Sequence, residues 1–333
     1  MSGQMLGDAA LGADGIVHVA RRLTEPAMAR LAAWRRPVSC GGDEPPARDQ
    51  LLRAARGAAG VIVTLTERVD AEFLDAAGPA LRVVANVAVG YDNIDVAEAS
   101  RRAVVVANTP GVLDEATADH TFAMILAVTR RVVEADRFAR SGTPWMWGPR
   151  LFLGLDISAG ATLGIVGHGR IGRAVARRAL AFGMRVVAYD PRLRPGQTYD
   201  AVQAVAWPDL LALADVVSLH VPLMDATRHL VDAAALAAMK DGAYLVNAAR
   251  GGIVDELALL AALRSGRLAG AALDTFEGEP RINPELMELD SVVLQPHIAS
   301  AGAVTRDRMC QLAVDNVERV LAGEPPLTPV PAP

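Results

Sequence analysis

Strand-length runs of apolar residues alternate along the chain with segments whose apolar positions recur every three or four residues. A first series of runs falls at 16–20, 61–65, 82–87 and 104–107, with helical patterns at 25–36, 49–56 and 70–77 between them. A second series falls at 162–166, 185–189, 216–220, 243–247, 270–273 and 292–294. The helices between these begin near Arg170, Asp209, Asp232 and Asp255. Strands separated by helices pair in parallel, and runs that are apolar throughout suit a sheet covered on both faces. Six strands with helical crossovers are the complement of a full dinucleotide-binding sheet. The pattern therefore predicts an α/β chain: two doubly wound parallel-sheet domains, one a Rossmann domain, with a cleft between them.

Between the two series, 117–140 has a long helical pattern without Gly or Pro, and the turn-rich SGTPWMWGP follows it. This helix is expected to cross between domains and, with apolar residues on several faces, to build a homodimer. A last helical pattern, 305–321, stops before Gly323, as helices often do. The closing EPPLTPVPAP suits neither regular helix nor a central strand. The expected division is a discontinuous substrate domain of 1–108 and 299–333 around a dinucleotide-binding domain of 109–298.

Composition narrows the function. The chain has 333 residues, 52% of them hydrophobic, and no apolar run of the ~20 residues that spans a membrane. A net charge of −5 argues against nucleic acid as a partner. Cys40 and Cys310 form neither a disulfide framework nor a metal-ligand pattern, which fits a reducing cytoplasm. The first fifteen residues lack the basic and apolar regions of a signal peptide and read as a disordered leader. Lys240 is the only lysine among 33 basic residues, a mark of base composition more than of phosphate recognition.

The segment ATLGIVGHGRIGRAVARRALAFGMRVVAYDP orders strand, tight turn, helix and second strand. Gly167, Gly169 and Gly172 suit a turn that lets backbone approach a pyrophosphate at a helix N-terminus. Asp190 lies 18 residues beyond Gly172, near the offset of the acid that holds an adenosine ribose. It favours NAD over NADP, although Arg192 and Arg194 stand close enough to counter it. Further on come Arg250, Glu279 and His297, each beside a strand end. An arginine binds a carboxylate, and a histidine held by a glutamate donates and accepts a proton. With a dinucleotide, this chemistry points to hydride transfer to a 2-oxo acid. His120, His168 and His220 are weaker candidates: His120 reads as structural and His168 as solvent-facing.

These motifs, with NVAVGYDNID, NTPGVLDEATADHTFAMILAVTRR, VSLHVPL, LVNAARGGIVDE, ALDTFEGEP and QPHIAS, resemble the D-isomer-specific 2-hydroxyacid dehydrogenases over residues 60–322. The glyoxylate/hydroxypyruvate reductase and 2-ketogluconate reductase branch is the most similar. The spacings of 29 and 18 residues from Arg250 to Glu279 to His297 match that family. The resemblance implies His297 as general acid, Glu279 as its partner, and Arg250 on the substrate carboxylate and carbonyl. It implies backbone contacts to that carboxylate from Ala88, Val89 and Gly90, and Asp274 on the nicotinamide. Further cofactor contacts are implied at Arg170, Ile171, His220, Val221, Pro222, Thr227, Ala248, Ala249 and Ala299, and a tryptophan near Trp147 reaching a neighbouring subunit. The substrate expected is glyoxylate or hydroxypyruvate, with no metal. Three alternatives stay open: a dinucleotide-sensing corepressor, phosphite oxidation, and D-3-phosphoglycerate dehydrogenase. The substrate loop lacks the lysine of the phosphite branch, and the chain lacks a C-terminal regulatory region.

Overall fold

The computed structural model describes residues 15–332. Residues 1–14 of the expected leader lie outside them. The chain divides into two units, Met1–Leu113 with Gly302–Pro333, and Asp114–Ala301. Both crossings fall a few residues later than the expected boundaries.

The first unit holds β1 (Val17–Val19), α1 (Glu25–Ala32), β2 (Val38–Cys40), α2 (Arg48–Ala55), β3 (Gly60–Val63), α3 (Ala71–Ala77), β4 (Val83–Asn86), α4 (Val96–Arg101) and β5 (Val105–Ala107). Its five strands are parallel, in the order β2-β1-β3-β4-β5. β2 and α4 were not legible in the hydrophobic pattern. β2 is three residues at the sheet edge, none fully buried, so no apolar run marks it. α4 is announced instead by its cap, Asp95, which accepts from the Glu98 N–H at 2.8 Å.

The second unit opens with α5 (Asp114–Thr129) and α6 (Val132–Arg140). Then follow β6 (Thr162–Val166), α7 (Arg170–Ala181), β7 (Arg185–Tyr189), β8 (Thr198–Tyr199), β9 (Val202–Ala204), α8 (Trp207–Leu213), β10 (Val216–Leu219), α9 (Ala233–Ala238), β11 (Ala243–Asn247), α10 (Glu256–Arg264), β12 (Leu268–Leu273), α11 (Pro284–Met287) and β13 (Val292–Leu294). The sheet has eight strands, β13-β12-β11-β10-β6-β7-β9-β8, two more than expected. The extra two are the short β8–β9 pair, whose antiparallel hairpin extends the edge. Asp232 and Asp255, read as helix starts, are N-caps, binding the N–H groups of Ala235 and of Leu257 and Ala258.

Alternate residues of the central strands enter opposite cores. Leu163 and Ile165 pack with Phe122, Ile125, Val175 and Ala179, while Val217 and Leu219 pack with Leu210, Leu236, Leu259 and Leu263. Each such fully buried side chain contributes about 1.5–3 kcal/mol, so both faces of the sheet are strongly held.

The single helix expected over 117–140 is two helices. Arg131 breaks it, in the left-handed region at φ 51°. The cause is competition for the end of α5: Leu155 N–H takes the Thr129 carbonyl at 2.9 Å. A continuing helix would have given that carbonyl to Val133. Gly154 makes the approach possible, since a Cβ there would stand 2.1 Å from the same oxygen. The apolar faces of α5 are also accounted for inside its own unit. Phe122, Met124, Ile125 and Val128 are buried in its core, whereas Val132 of α6 is exposed.

α12 (Ala303–Leu321) closes the chain within the first unit, where Val317 and Leu321 cover Gly60 of β3. The proline-rich tail then runs along β5, with Val330 N–H on the Val106 carbonyl at 2.8 Å. Proline is tolerated there because the tail is an edge.

Candidate active site

Six parallel strands of the second unit end level with one another. The register pairs Tyr189 with Val166, Val166 with Leu219, Leu219 with Asn247, Asn247 with Leu273, and Leu273 with Leu294. The residues that follow these ends are Asp190, Gly167, His220, Ala248, Asp274 and Gln295. The sheet itself thus gathers the candidates along one edge. Strand order reverses between β6 and β10, and ligands of open α/β sheets bind at that switch point, outside the carboxyl ends.

The glycine loop fills the switch point. Gly167 has φ 93°, and a Cβ on it would meet the His220 carbonyl oxygen at 2.6 Å. A Cβ on Gly172 would meet the Gly167 carbonyl oxygen at 2.1 Å, so α7 packs on the turn only as glycine. At Gly169 a Cβ would meet nothing, and no side chain caps α7. The helix therefore presents its N-terminal N–H groups and positive dipole end beside open space, which fits a pyrophosphate.

Asp190 is buried, and its carboxylate is saturated by protein donors. Oδ1 accepts from the Arg192 N–H at 3.0 Å and Nε at 2.9 Å; Oδ2 accepts from the His168 N–H at 3.0 Å and Arg192 Nη2 at 2.7 Å. The Arg192 guanidinium, against the effect of burial, holds Asp190 down to about 2, so it is ionised. His168 is buried rather than solvent-facing, because its backbone is drawn in by Asp190. Its Nε2 has no hydrogen-bond partner among the described residues. His220 is pushed down to about 3 by burial and stays neutral, with Nε2 2.8 Å from Ser218 Oγ.

The structure brings Glu279 and His297 together, with His297 Nδ1 2.9 Å from Glu279 Oε2. The other carboxylate oxygen accepts from the Phe276 N–H at 2.9 Å. Burial pushes Glu279 up, but the hydrogen bond and charge of His297, the Phe276 N–H and Arg250 outweigh it. The carboxyl lies below its ordinary range. His297 has φ 57°, and its N–H binds the Asp274 carbonyl at 2.9 Å. The Asp274 side chain, fully buried, binds the N–H groups of Ile298 at 2.7 Å and Ala299 at 2.8 Å. It was expected on the nicotinamide. These bonds also anchor the loop that carries His297. His120 Nε2 lies 3.9 Å from Asp274 Oδ1 and has no hydrogen-bond partner among the described residues.

Arg250 follows β11 in a turn held by Asn247. The Asn247 amide donates to the Arg250 carbonyl at 2.9 Å, and its oxygen accepts from the Ala249 N–H at 3.0 Å. The next residue explains the RGG sequence. A Cβ on Gly251 would lie 1.9 Å from the Phe276 carbonyl carbon, so this glycine lets the arginine turn press on the segment holding Glu279. Thr227 spends its hydroxyl within its own turn, on the Pro222 carbonyl at 2.6 Å. Trp145 and Trp147 anchor nothing here, being 65% and 77% exposed in an irregular segment.

In the first unit, the loop 87–90 follows β4, and its carbonyls are tied behind it. The Thr109 N–H takes the Ala88 carbonyl at 2.9 Å, Asn108 Nδ2 the Val89 carbonyl at 2.7 Å, and Asn86 Nδ2 the Gly90 carbonyl at 2.8 Å. Asn93 braces Asn86 at 3.2 Å. The N–H groups of Ala88, Val89 and Gly90 have no protein acceptor among the described residues. With its oxygens fixed and its N–H groups unspent, the loop suits an anion. Asn86, Asn108 and Thr109 were not singled out from the sequence, although NTPG and NVAVGYDN contain them.

No group of His, Cys, Asp and Glu among the described residues is arranged to hold a metal. Among those residues, no helix is long and apolar enough to cross a membrane. Residues 122–299 match the family model for the NAD-binding domain of D-isomer-specific 2-hydroxyacid dehydrogenases. The chain is 45% identical over 315 residues to a glyoxylate reductase of Korarchaeum cryptofilum, covering 93% of this chain and 94% of that one. It is 48% identical over 287 residues to a glyoxylate reductase of Thermococcus kodakarensis, covering 84% and 85%. A protein of Thermus thermophilus superposes with a TM-score of 0.89 at 46% identity, over 95% of this chain and 100% of that one. An NADPH-dependent glyoxylate/hydroxypyruvate reductase of Sinorhizobium meliloti, in complex with NADP and malonate, superposes at 0.83 with 33% identity, over 95% and 97%. With a family model over more than half its length and such relatives over nearly all of it, the chain belongs to the D-isomer-specific 2-hydroxyacid dehydrogenase family of oxidoreductases.

Proposed function

We propose that this protein reduces a small 2-oxo acid, glyoxylate or hydroxypyruvate, to the D-2-hydroxy acid, with NAD(P)H as reductant. The observation that carries the reading is the 2.9 Å His297–Glu279 pair, set at the same sheet edge as the glycine loop and the Arg250 turn. A bound dihydronicotinamide supplies the hydride to the carbonyl carbon. His297 Nε2 donates the proton that the carbonyl oxygen takes up. Glu279, an anion in the neutral range, pairs with Nδ1 and so fixes it as the nitrogen turned away from substrate. Arg250 binds the substrate carboxylate and polarises the carbonyl. The N–H groups of Ala88, Val89 and Gly90 complete the carboxylate's hydrogen bonds.

The dinucleotide contacts are assigned to Gly167, Gly169, Arg170, Ile171 and Gly172 at the pyrophosphate, and to Asp190 at the adenosine ribose. His220, Val221, Pro222, Thr227, Ala248, Ala249 and Ala299 line the remaining strand ends. Asp190 favours NAD, since an ionised carboxylate repels a 2′-phosphate. The protein acts as a homodimer in the cytoplasm, and the exposed Trp145, Met146, Trp147 and Leu153 supply the apolar surface for its partner.

Steady-state kinetics on a panel of 2-oxo acids, with NADH and NADPH in parallel, test the reading. Stoichiometric cofactor oxidation with glyoxylate or hydroxypyruvate is expected. No oxidation with any 2-oxo acid would overturn it.

A further inference from the structure

We infer that Arg192 is a latch on the adenosine-ribose acceptor, competing with NAD for Asp190 and turning to the 2′-phosphate of NADP. The inference rests on the proposed placing of the adenosine ribose at Asp190. A carboxylate has about four acceptor positions, and protein donors fill all four of those on Asp190. Three come from Arg192 itself, through its N–H, Nε and Nη2, and one from the His168 N–H. The backbone donors belong to the glycine loop and to the turn after β7, so they are fixed. The two guanidinium bonds are the replaceable ones. The Arg192 side chain is 75% exposed, whereas that of Asp190 is 5% exposed. A ribose diol therefore gains its acceptor only when the guanidinium leaves.

The exchange has opposite consequences for the two dinucleotides. With NAD, the released guanidinium has no new anion to bind, and its lost bonds count against affinity. With NADP, the 2′-phosphate offers a dianion at the position the guanidinium already occupies, and a bidentate pair replaces the one given up. Asp190 alone would exclude NADP; Asp190 with Arg192 narrows the gap. The glyoxylate/hydroxypyruvate reductase of Sinorhizobium meliloti, a structural relative, is NADPH-dependent.

The test is calorimetric titration of the full-length protein with ADP-ribose and with 2′-phospho-ADP-ribose, which probe the adenosine end without turnover. Arg192→Ala and Arg192→Gln are expected to bind ADP-ribose about two- to fivefold more tightly, the factor by which a half-exposed ion pair holds its closed state. Both are expected to bind the 2′-phosphate about tenfold more weakly, through loss of charge-assisted bonds. Asp190→Ala should weaken ADP-ribose. If both Arg192 variants bind ADP-ribose no more tightly than wild type while Asp190→Ala weakens it, the latch is refuted and the ribose assignment stands. If Asp190→Ala leaves ADP-ribose binding unchanged, the ribose assignment has failed, and the latch with it.

Discussion

Glu279→Gln keeps the size and hydrogen-bonding capacity of the side chain but removes its charge. The carboxylate it replaces accepts from the Phe276 N–H and meets His297 Nδ1, each at 2.9 Å. The side chains are 30% and 22% exposed, so solvent screens the pair only in part. Exchanging a charge-assisted hydrogen bond for a neutral one costs about 1–1.4 kcal/mol, a five- to tenfold change in an equilibrium. Reduction uses the imidazolium and oxidation the neutral ring. In the variant, kcat for reduction near neutrality should fall about five- to tenfold. The acid side follows from the carboxyl. Its folded pKa is depressed, so its contribution to stability is complete above the unfolded value and is lost as pH falls through the folded one. Wild type should therefore keep the pair intact down to pH values below the ordinary carboxylate range. Initial rates of glyoxylate reduction and of hydroxy-acid oxidation near neutrality measure the first effect, and melting followed down to about pH 3 the second. A kcat within about twofold of wild type would refute the proton-transfer role built on this pair.

His297→Ala should lose about 10²–10⁴-fold in turnover while calorimetry finds NADH binding preserved. Arg250→Ala should raise the KM for the 2-oxo acid as well as lower kcat, and Arg250→Lys should recover little, because a lysine cannot make the bidentate pair. Asn108→Ala frees the Val89 carbonyl and should raise the oxo-acid KM about fivefold through one lost hydrogen bond, with NADH affinity unchanged; a shift in NADH affinity alone would contradict the loop's assignment. Gly251→Ala places a Cβ against the Phe276 backbone and should cost at least about 1–3 kcal/mol of stability. Gly252→Ala meets only the Arg228 and Leu223 side-chain ends, at 3.3–3.4 Å, and should melt near wild type.

The fold was legible where a strand-length run stands between clear turn signals. The bounds of β6, β7, β11 and β13 agree with the apolar runs residue for residue, because nothing interrupts them. It was illegible where tertiary contacts overrode local pattern. Nothing between Thr117 and Arg140 breaks a helix. The break comes from Leu155, which captures the Thr129 carbonyl from a distant part of the sequence. For the site, the motifs and the 29- and 18-residue spacings that carry the family resemblance brought out Arg250, Glu279 and His297. What supports them was hidden. Asn86 and Asn108 look like ordinary loop residues until their amides are seen to hold the carbonyls of Gly90 and Val89. The dual hold of Arg192 on Asp190 depends on a turn geometry that two residues of sequence do not specify.

The return of α12 to the first unit bears on the order in which the chain folds as it is made. Strands β1–β5 emerge first, yet one face of their sheet, around Gly60, is covered by Val317 and Leu321, and the edge at Val106 is paired by Val330. Val317, Leu321 and Val330 are all made only after the whole of the second unit, Asp114–Ala301. The second unit is continuous and has all its strands and helices before α12 begins. The usual vectorial sequence, N-terminal unit first, therefore cannot complete this sheet: one face lacks its cover until the second unit has been made and α12 follows it.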